Sequence, residues 1–366
     1  MAAATDEYDL AVVGAGIVGL AHAHAAASRG LRVVIVERST AIVGASVRNF
    51  GHLGIGMHTG RAGEYARLSR VLWLDLAERA GFWMRPDGAL LVARAGDELA
   101  VLEESGAGAM LTAAQVEQLA PVVGAVGGLH SASDLQVDPR EAAPAIAAYL
   151  ESIGVEFRWR TSALGAEDGI LHTSRGEVHA FHTVFAVNFD VDQLFPELAE
   201  QNEVVRCALD MLLAEGVGLG TPLLTGSSML RYSGFVSTPS AADVRERLRR
   251  ESPELLHLDI NQMYTERPDG TLVIGDTHHR GTAVSPFQSE RDFAVLERIT
   301  AELFDRPIRL RQRWQGVYAS APQDFLIESP AAGVHVVAVT TGIGMTTGLG
   351  LGESVINGIF GSGREQ

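Results

Sequence analysis

The segment that most constrains the fold runs from residue 8 to residue 37 and reads YDLAVVGAGIVGLAHAHAAASRGLRVVIVE. The apolar residues 8–13 predict a buried parallel strand, the alanine-rich residues 15–29 predict a helix, and residues 31–37 predict a second buried strand. Three glycines with the spacing G-x-G-x-x-G stand between the first strand and the helix. This order predicts a βαβ unit of an α/β fold.

Each of the three glycines has a separate physical role. Gly14 permits the tight turn, Gly16 lets a pyrophosphate approach the backbone, and Gly19 lets the helix pack closely on the strand. The helix N-terminus presents unpaired N–H groups to phosphates. Glu37 ends the second strand, where a carboxylate can accept hydrogen bonds from a ribose diol. We therefore predict a dinucleotide-binding site; the alternative is a glycine-rich turn in an unrelated α/β domain.

Composition limits the classes of partner. The chain has 366 residues, 46% of them apolar, and a formal net charge of −16, which argues against nucleic acid or an anionic membrane surface as a partner. One cysteine, Cys207, excludes an internal disulfide and a multi-cysteine metal site. No uninterrupted apolar run approaches the roughly 20 residues that span a bilayer. We expect a cytoplasmic protein that does not bind a membrane, with two domains or one large interleaved domain.

Two further segments bear on the identity of the dinucleotide, because the glycine fingerprint alone does not separate NAD from FAD. Residues 44–52, GASVRNFGH, follow the second strand and crowd a hydroxyl, a guanidinium, an amide and an imidazole into one loop. Near the other end of the chain, HVVAVTTG predicts a strand, GIGMTTGLGLGE a glycine-rich turn, and ESVINGIFG a helix. Backbone N–H groups in that turn would face an anionic or electron-rich group.

Five segments together resemble the D-amino-acid-oxidase/glycine-oxidase superfamily of FAD-dependent oxidoreductases. They spread over essentially the whole chain and read VVGAGIVGLAHAHAAASRGLRVVIVER, GASVRNFGH, LQVDPREAAPAIAAYLESIGVEF, RWQGVYASAPQDFLI and TGIGMTTGLGLGE. The resemblance implies FAD as the cofactor. It implies non-covalent attachment, because Cys207 does not occupy the family's C-terminal attachment position, although His52 keeps a covalent link open.

The resemblance also implies which residues hold FAD. The loop after the second strand would line the pyrophosphate and flavin, Ala163 would give a backbone contact to adenine, and the C-terminal turn would lie at the N1/O2 edge of the flavin. The implied cofactor residues are Gly14, Gly16, Ile17, Val18, Gly19, Glu37, Arg38, Ser46, Arg48, Asn49, Gly51, His52, Ala163, Gly342, Gly344, Met345, Thr346 and Thr347.

The fold implied by the family is α/β and interleaves two domains. A Rossmann-like FAD-binding domain would comprise residues 1–85, 140–200 and 318–366, and a smaller α+β substrate domain on a mixed or antiparallel sheet would comprise 86–139 and 201–317. Within them, GALLVAR predicts a strand, REAAPAIAAYLESIG an amphipathic helix, and AADVRERLRRES and ERDFAVLERITAELF charged surface helices. LLHLDINQMYTERPDGTLVIGD predicts two strands joined by a turn at RPDG.

A narrower resemblance concerns the substrate. The segments VRNFGH, YARLSRVLWLDLAERAGFWMRPDGALLVAR, VVRCALDMLL, LVIGDTHH and RWQGVYAS look like a bacterial subgroup of these oxidoreductases linked to aminophosphonate breakdown. That resemblance implies oxidative deamination of 2-aminoethylphosphonate or of an N-methyl or hydroxy derivative. Dioxygen or another electron acceptor would complete the reaction, and a homo-oligomer stays open.

Cationic and hydroxyl side chains are candidates for binding the anionic end of such a substrate, because arginine offers a bidentate fork. The candidates are His52, Arg206, Arg231, His278, His279, Arg280, Arg313 and Tyr318. The alternatives are an exposed histidine pair, a structural salt bridge and a core tyrosine. We expect His58 to serve loop structure, and Asp276 to orient a histidine or cap a turn. We expect no obligatory Asp/His dyad, because a pocket that lowers the pKa of the amine and a flavin that accepts the hydride need no strong base. We expect no metal, since adjacent strand residues such as His278 and His279 point to opposite faces.

Two other functions stay open. A D-amino acid, glycine or sarcosine oxidase or dehydrogenase would be favoured by a pocket arginine paired with a tyrosine, which suits a carboxylate. A non-catalytic flavoprotein would be favoured if no amine bleached the flavin. The leading prediction is an FAD-dependent oxidation of the C–N bond of a small zwitterionic amine.

Overall fold

The computed structural model describes residues 7–361, so residues 1–6 and 362–366 of the predicted FAD-binding domain lie outside the described part. The strands are β1 Glu7–Val13, β2 Val33–Glu37, β3 His52–Leu53, β4 Met84–Arg85, β5 Ala89–Ala93, β6 Ala109–Thr112, β7 Gly127–Ser131, β8 Leu135–Val137, β9 Glu156–Trp159, β10 Ala163–Glu167, β11 Ile170–Thr173, β12 Gly176–Phe185, β13 Val205–Glu215, β14 Leu223–Thr225, β15 Met263–Glu266, β16 Thr271–Gly275, β17 His279–Gly281, β18 Leu310–Ala331 and β19 Val334–Thr341.

The α-helices follow the strands closely in sequence. They are α1 Ile17–Ala27, α2 Gly60–Ala80, α3 Gly96–Ser105, α4 Ala113–Leu119, α5 Pro139–Ser152, α6 Val191–Leu194, α7 Pro196–Gln201, α8 Ser233–Val236, α9 Ala241–Glu251, α10 Pro253–His257, α11 Glu290–Phe304 and α12 Gly344–Phe360. Short 3₁₀ turns at Ala45–Val47, Ile55–Met57, Asn188–Asp190 and Gly226–Leu230 complete the regular structure. No helix within residues 7–361 combines the length and the apolar character needed to cross a bilayer.

A parallel sheet forms one half of the molecule. Strands β19, β12, β1, β2 and β9 lie side by side and all pair in parallel. Apolar residues of β1 and β2 face helices α1, α2, α5 and α12 on one side and a second apolar cluster on the other. Parallel strands covered on both faces are the arrangement of Rossmann-like folds. The predicted α/β fold is thus confirmed.

The other half of the molecule is built on mixed strands. Strands β6, β7, β5, β14, β15, β16, β13 and β18 follow one another, and only the β5–β14 pair is parallel. One strand connects the halves: β18 pairs with β13 through its first part and with β19 through its second part. Residues 7–361 therefore form one sheet of 16 strands, with a separate sheet of β3, β8 and β4. The domain boundaries given above remain a prediction.

Most predicted elements are confirmed, and two differ. The RPDG turn joins β15 and β16 as a hairpin, but residues 255–257 before it are helical and not strand. The glycine-rich run predicted as a turn belongs to α12, which begins at Gly344. The physical reason is close packing, since a Cβ on Gly350 would lie 2.3 Å from the carbonyl oxygen of Tyr65 in α2. These glycines let α12 pack closely against α2, and the turn itself is limited to Gly342 and Ile343.

Candidate active site

One cavity of about 840 Å³ opens between the parallel half and the mixed half of the sheet. Its wall gathers the ends of β1, β2 and β19, the loop 44–52 and the segments around residues 231, 261, 276 and 318. The predicted cofactor residues in the wall are Gly14, Gly16, Ile17, Val18, Glu37, Arg38, Ser46, Arg48, Asn49, His52, Ala163, Gly342, Gly344, Met345 and Thr346. The chain thus brings segments from both ends of the sequence to one place.

The glycine turn leaves room for a ligand because side chains cannot enter it. Gly14 has a φ of +104°, and a Cβ there would lie 2.6 Å from the carbonyl oxygen of Ala186. A Cβ on Gly19 would lie 1.9 Å from the carbonyl oxygen of Gly14, so Gly19 serves the contact between α1 and β1 and does not line the cavity. The turn is fixed by Glu37, whose carboxylate accepts hydrogen bonds from the backbone N–H groups of Ala15 at 2.9 Å and Ser39 at 2.8 Å.

The loop 44–52 is tied to the helix N-terminus and to β18. The Ser46 hydroxyl oxygen accepts a hydrogen bond from the Ile17 N–H at 2.8 Å, so its own hydrogen stays available to an anion. Arg48 Nη1 donates to the carbonyl oxygen of Gln315 at 3.1 Å, and Trp314 Nε1 donates to the carbonyl oxygen of Arg48 at 3.1 Å. These bonds hold the loop against the cavity.

The second half of the same loop is closed by its own side chains. Asn49 Nδ2 donates to the carbonyl oxygen of Ala45, and Asn49 Oδ1 accepts the Gly51 N–H. Gly51 has a φ of +73° and faces Val137, outside the cavity wall. His52 Nε2 lies 2.9 Å from the buried Asp134 Oδ2, so this carboxylate fixes the ring at the wall. Gly51 is therefore a packing residue, which corrects its predicted contact with the cofactor.

Helix α12 points its N-terminus at the cavity. Gly344, Met345 and Thr346 line the wall, and the first N–H groups of a helix have no acceptor within it. Trp73 Nε1 donates to the carbonyl oxygen of Met345 at 2.9 Å and fixes this end. Thr347 is fully buried, and its hydroxyl donates to the carbonyl oxygen of Ile343 at 2.9 Å. It caps the turn and does not line the cavity, contrary to the prediction.

The far end of the cavity holds a cluster around Arg231. Arg231 Nη1 lies 2.9 Å from Asp259 Oδ1, and Arg231 Nη2 donates to His278 Nε2 at 2.8 Å. Because a guanidinium can only donate, His278 Nε2 must be the acceptor, and His278 Nδ1 then donates to the carbonyl oxygen of Asp259 at 2.8 Å. Burial and the neighbouring Arg231 lower the pKa of His278 well below its usual value. The imidazole is therefore neutral and orients the arginine.

Further side chains line the wall beside Arg231. Burial raises the pKa of Tyr318 well above its usual value, so Tyr318 presents a neutral hydroxyl. His58 packs its ring edge-on against Tyr232 with centroids 5.6 Å apart, and burial lowers the pKa of His58 to about 4. The remaining residues of this group are Asn261 and Asp276, which exchange two backbone hydrogen bonds.

Four predicted substrate residues lie outside the cavity wall, which corrects those predictions. Arg206 forms a two-bond ion pair with Asp192, and Arg313 lies 3.2 Å from Glu290. His279 points to the opposite face from His278 and lies between Asp210 and Asp292, at 3.4 and 3.3 Å. Arg280 pairs with Asp259 at 2.7 Å. In each case a carboxylate lies close to the side chain.

The wall also contains residues that the sequence did not single out as ligands. His58, Asn261 and Asp276 line it. Counting outward from the RPDG turn places Gln262 opposite Asp276, so the contact between Asn261 and Asp276 depends on a one-residue shift at the end of the hairpin.

Comparison with known proteins gives a family and a fold. The family model described as "DAO: FAD dependent oxidoreductase" matches residues 9–357. Two solved structures of glycine oxidase are similar: that of Bacillus cereus ATCC 14579 at 19% identity, covering 97% of this chain and 95% of that one with a TM-score of 0.78, and that of Geobacillus kaustophilus at 20%, covering 96% and 94% with a TM-score of 0.76.

A third solved structure, L-proline dehydrogenase from P. horikoshii, is 16% identical, covers 99% of this chain and 95% of that chain, and has a TM-score of 0.78. No protein with a curated description matches the chain. The structural matches extend over nearly the full length of each chain, and the family model spans both halves of the sheet. The chain belongs to the DAO family of FAD-dependent oxidoreductases.

Proposed function

We infer that this FAD-dependent oxidoreductase oxidises the C–N bond of a small amine that also carries an anionic group. The observation that carries the proposal is Arg231, a guanidinium oriented by Asp259 and His278 in the wall of the same cavity that contains the glycine turn. Asp259 and His278 use part of its five N–H groups, and the rest suit a bidentate anion.

The residues of the near end of the cavity fit FAD. The Gly14–Gly16 turn and the α1 N-terminus suit the pyrophosphate, the Ser46 hydroxyl retains a hydrogen for a phosphate oxygen, and the α12 N-terminus suits electron-rich atoms of the ring. Glu37 uses two acceptor positions on backbone N–H groups, and a carboxylate has about four, which leaves room for a ribose diol. Bound FAD supplies the two-electron acceptor for the oxidation. We propose that it is held non-covalently.

The protein side chains then position the amine. Arg231 would hold the anionic end, and the neutral hydroxyls of Tyr232 and Tyr318 would complete the anion site. The carbon that carries the nitrogen would lie toward the α12 end of the cavity. Loss of a hydride from that carbon of the neutral amine would leave an iminium ion, the protonated imine, which water would hydrolyse to a carbonyl compound and ammonia or an amine. Dioxygen or another acceptor would take the electrons afterwards.

We propose 2-aminoethylphosphonate or an N-methyl or hydroxy derivative as the first candidate substrate. Support comes from the sequence segments that resemble the aminophosphonate subgroup and from the anion site at Arg231. A second candidate is a D-amino acid, glycine or sarcosine, since Arg231 lies next to Tyr232 and close to Tyr318, a pairing that suits a carboxylate. The glycine oxidases among the similar structures favour the same candidate.

The experiment is a turnover screen of the purified FAD-loaded protein, with dioxygen and with an artificial electron acceptor in parallel. The panel contains 2-aminoethylphosphonate, its N-methyl and 1-hydroxy derivatives, glycine, sarcosine and D-alanine. Carbonyl products are trapped with a hydrazine, and ammonia or methylamine is quantified separately. We expect the aminophosphonates to give the highest kcat/KM. Faster turnover of the amino acids would overturn the phosphonate assignment and establish the second candidate.

A further inference from the structure

Two buried oxygen atoms at the far end of the cavity have no hydrogen-bond partner in the described part of the chain. They are Oδ1 of Asn261 and Oδ1 of Asp276. Both residues line the cavity, and the Asp276 side chain is only 4% exposed. An unpaired acceptor in a buried position costs about 1–3 kcal/mol, and more if it is charged. Such a pair of acceptors indicates that a donor arrives from outside the protein.

Neither His278 nor Arg231 supplies that donor to Asp276. His278 Nε2 lies 3.7 Å from Asp276 Oδ2, beyond hydrogen-bond distance, and it accepts from Arg231 and so carries no hydrogen. His278 Nδ1 is committed to the carbonyl oxygen of Asp259. The Asp276 carboxylate thus lies near a guanidinium without a direct hydrogen bond to it in the described residues. It is available to a ligand.

We propose that Asp276, aided by Asn261, receives the ammonium group of the substrate and takes one proton from it. This inference rests on the proposed function, because it requires an amine whose anionic end is held by Arg231. The step is a proton transfer: one N–H bond of the ammonium breaks, one O–H bond forms on the carboxylate, and the nitrogen regains its lone pair. Only the neutral amine can push electrons toward the carbon that loses a hydride.

The environment of Asp276 suits a proton acceptor near neutral pH. Burial raises the pKa of the Asp276 carboxyl to about 7, although the neighbouring Arg231 and the Asn261 amide act to lower it. A base with a pKa near the working pH is the most effective one. The charged or titratable groups that face Asp276 are Arg231, Tyr232, Cys207, Asp259, His278 and Tyr318.

A pair of ligands isolates the contact with the amine. The ligand 2-amino-2-methylpropylphosphonate has both charges but no hydrogen on the carbon that carries the nitrogen, so it cannot be oxidised there. The ligand 2-methylpropylphosphonate has the anion alone. Binding to the FAD-loaded protein is measured by calorimetry for wild type, Asp276→Asn and the matched control Asp210→Asn. Asp210 is a buried carboxylate outside the cavity wall that accepts a hydrogen bond from Thr277.

We expect wild type and Asp210→Asn to bind the amine ligand about tenfold tighter or more than the anion ligand. Asp276→Asn should lose this preference while keeping its affinity for the anion ligand. An undiminished preference in Asp276→Asn would overturn the role of Asp276 and leave the proposed function intact. If neither phosphonate binds, the same comparison is made with 2-aminoisobutyrate and isobutyrate, which tests the carboxylate alternative. Failure of both pairs would overturn the proposed function and the inference together.

A pH profile separates a proton acceptor from a merely structural residue. For wild type, kcat/KM should rise with pH through the ionisation of Asp276 near 7. For Asp276→Asn, this rise of kcat/KM near pH 7 should disappear. Its kcat/KM should rise only as the substrate amine itself loses its proton, at roughly pH 10 for a simple alkylamine. An unchanged rise near pH 7 in Asp276→Asn would contradict the proposal, whatever the loss of overall rate.

Discussion

At the residue scale, the ability of an arginine to bind an anionic substrate depends on whether carboxylates already neutralise its charge. Arg231, Arg206 and Arg313 all lie in the mixed half of the molecule, but Arg206 and Arg313 have carboxylate partners away from the cavity. Arg231 also has a carboxylate partner, Asp259, yet its second nitrogen meets a neutral imidazole. A neutral partner orients a guanidinium without cancelling its charge. For this reason we propose Arg231 as the anion site.

Replacing Arg231 by methionine should lower kcat/KM for a zwitterionic amine about a hundredfold or more. The reason is the loss of two charge-assisted hydrogen bonds, each contributing about 1.5–3 kcal/mol. The bound FAD and its spectrum should persist, since the Arg231 side chain contacts Asp259 and His278 and makes no hydrogen bond to the glycine turn. Steady-state kinetics checks this, with KM expected to rise more than kcat falls.

The matched control is Arg313→Met, which removes the same charge from a residue outside the cavity wall. It should leave kcat/KM within a few-fold of wild type. If Arg313→Met were as damaging as Arg231→Met, the assignment of the anion site to Arg231 would be wrong.

The sequence predicted Arg231, His278 and Tyr318 as anion-binding candidates because of their cationic or hydroxyl side chains, and it predicted Arg206, His279 and Arg313 on the same ground. Residue type does not distinguish His278 from His279, because both are histidines. Only the alternation of side chains along a strand distinguishes them. That alternation is confirmed: His278 is buried at the cavity and His279 is 45% exposed by side chain on the other face. The carboxylates that hold Arg206 and Arg313 outside the cavity belong to other elements of the fold. A local sequence pattern therefore does not predict these ion pairs.

Helix α12 shows at the element scale why a glycine-rich segment need not be a turn. Its glycines 348, 350 and 352 would be unfavourable in an isolated helix. In the fold they let α12 pack against α1 and α2, since a Cβ on Gly352 would lie 2.8 Å from Ala21 and one on Gly350 would lie 2.3 Å from the Tyr65 carbonyl oxygen. Close packing here fixes the N-terminus that faces the cavity.

Replacing Gly350 by alanine should destabilise the folded protein by about 1–3 kcal/mol, because the added methyl group collides with the backbone of α2. The free energy of unfolding is measured by urea denaturation at a fixed excess of FAD. Gly358→Ala is the matched control in the same helix. A Cβ at Gly358 meets nothing within 4 Å, so alanine there should stabilise by up to about 1 kcal/mol. Equal effects of the two substitutions would contradict the packing role of Gly350.

The elements of the parallel half were largely predictable from sequence, and their ends were less so. Residues 8–13 and 31–37 are apolar runs bounded by glycine and charge, and β1 and β2 occupy them with small shifts at the ends. The α12 start was not predictable because helix propensity disfavours glycine, and only the contact with α2 reverses that preference. The helix α10 was missed for a similar reason, as its short run also fits a strand pattern.

Acid sensitivity belongs to the whole molecule, because it depends on histidines buried in several places. Burial lowers the pKa of His22 to about 4 and that of His58 to about 4. In the unfolded chain these groups titrate near 6.5, so the unfolded state binds more protons between pH 6.5 and 4. The free energy of unfolding should therefore fall as the pH drops through this range. Each histidine contributes up to about 1.4 kcal/mol per pH unit.

Replacing His22 by leucine should reduce the pH dependence of the free energy of unfolding by the contribution of one histidine. His22 is fully buried in α1, and its Nε2 has no partner in the described residues, so an apolar side chain is acceptable there. Urea denaturation at pH 7.5, 6.5, 5.5 and 4.5 measures the slope, with His257→Leu, a replacement of an exposed histidine, as the control. A slope for His22→Leu that equals the wild-type slope would show that burial of His22 does not govern acid stability.

The continuity of the sheet explains how the two ends of the chain form one site. Strand β18 pairs with β13 of the mixed half and with β19 of the parallel half. The cluster around Arg231 and the glycine turn at Gly14 therefore line the same cavity. Our central claim is that FAD and a zwitterionic amine occupy this single cavity. A substrate must then carry both an anionic group and an amine to be oxidised.

The most direct test is anaerobic mixing of the purified FAD-loaded protein with 2-aminoethylphosphonate, glycine, ethylamine and ethylphosphonate, while the visible absorbance of the flavin is recorded. We predict that a zwitterionic amine bleaches the flavin at a rate that saturates with its concentration. Ethylamine, which lacks the anion, and ethylphosphonate, which lacks the amine, should leave the absorbance unchanged on the same timescale. Bleaching by ethylamine as fast as by the zwitterions, or no bleaching by any amine, would contradict the account.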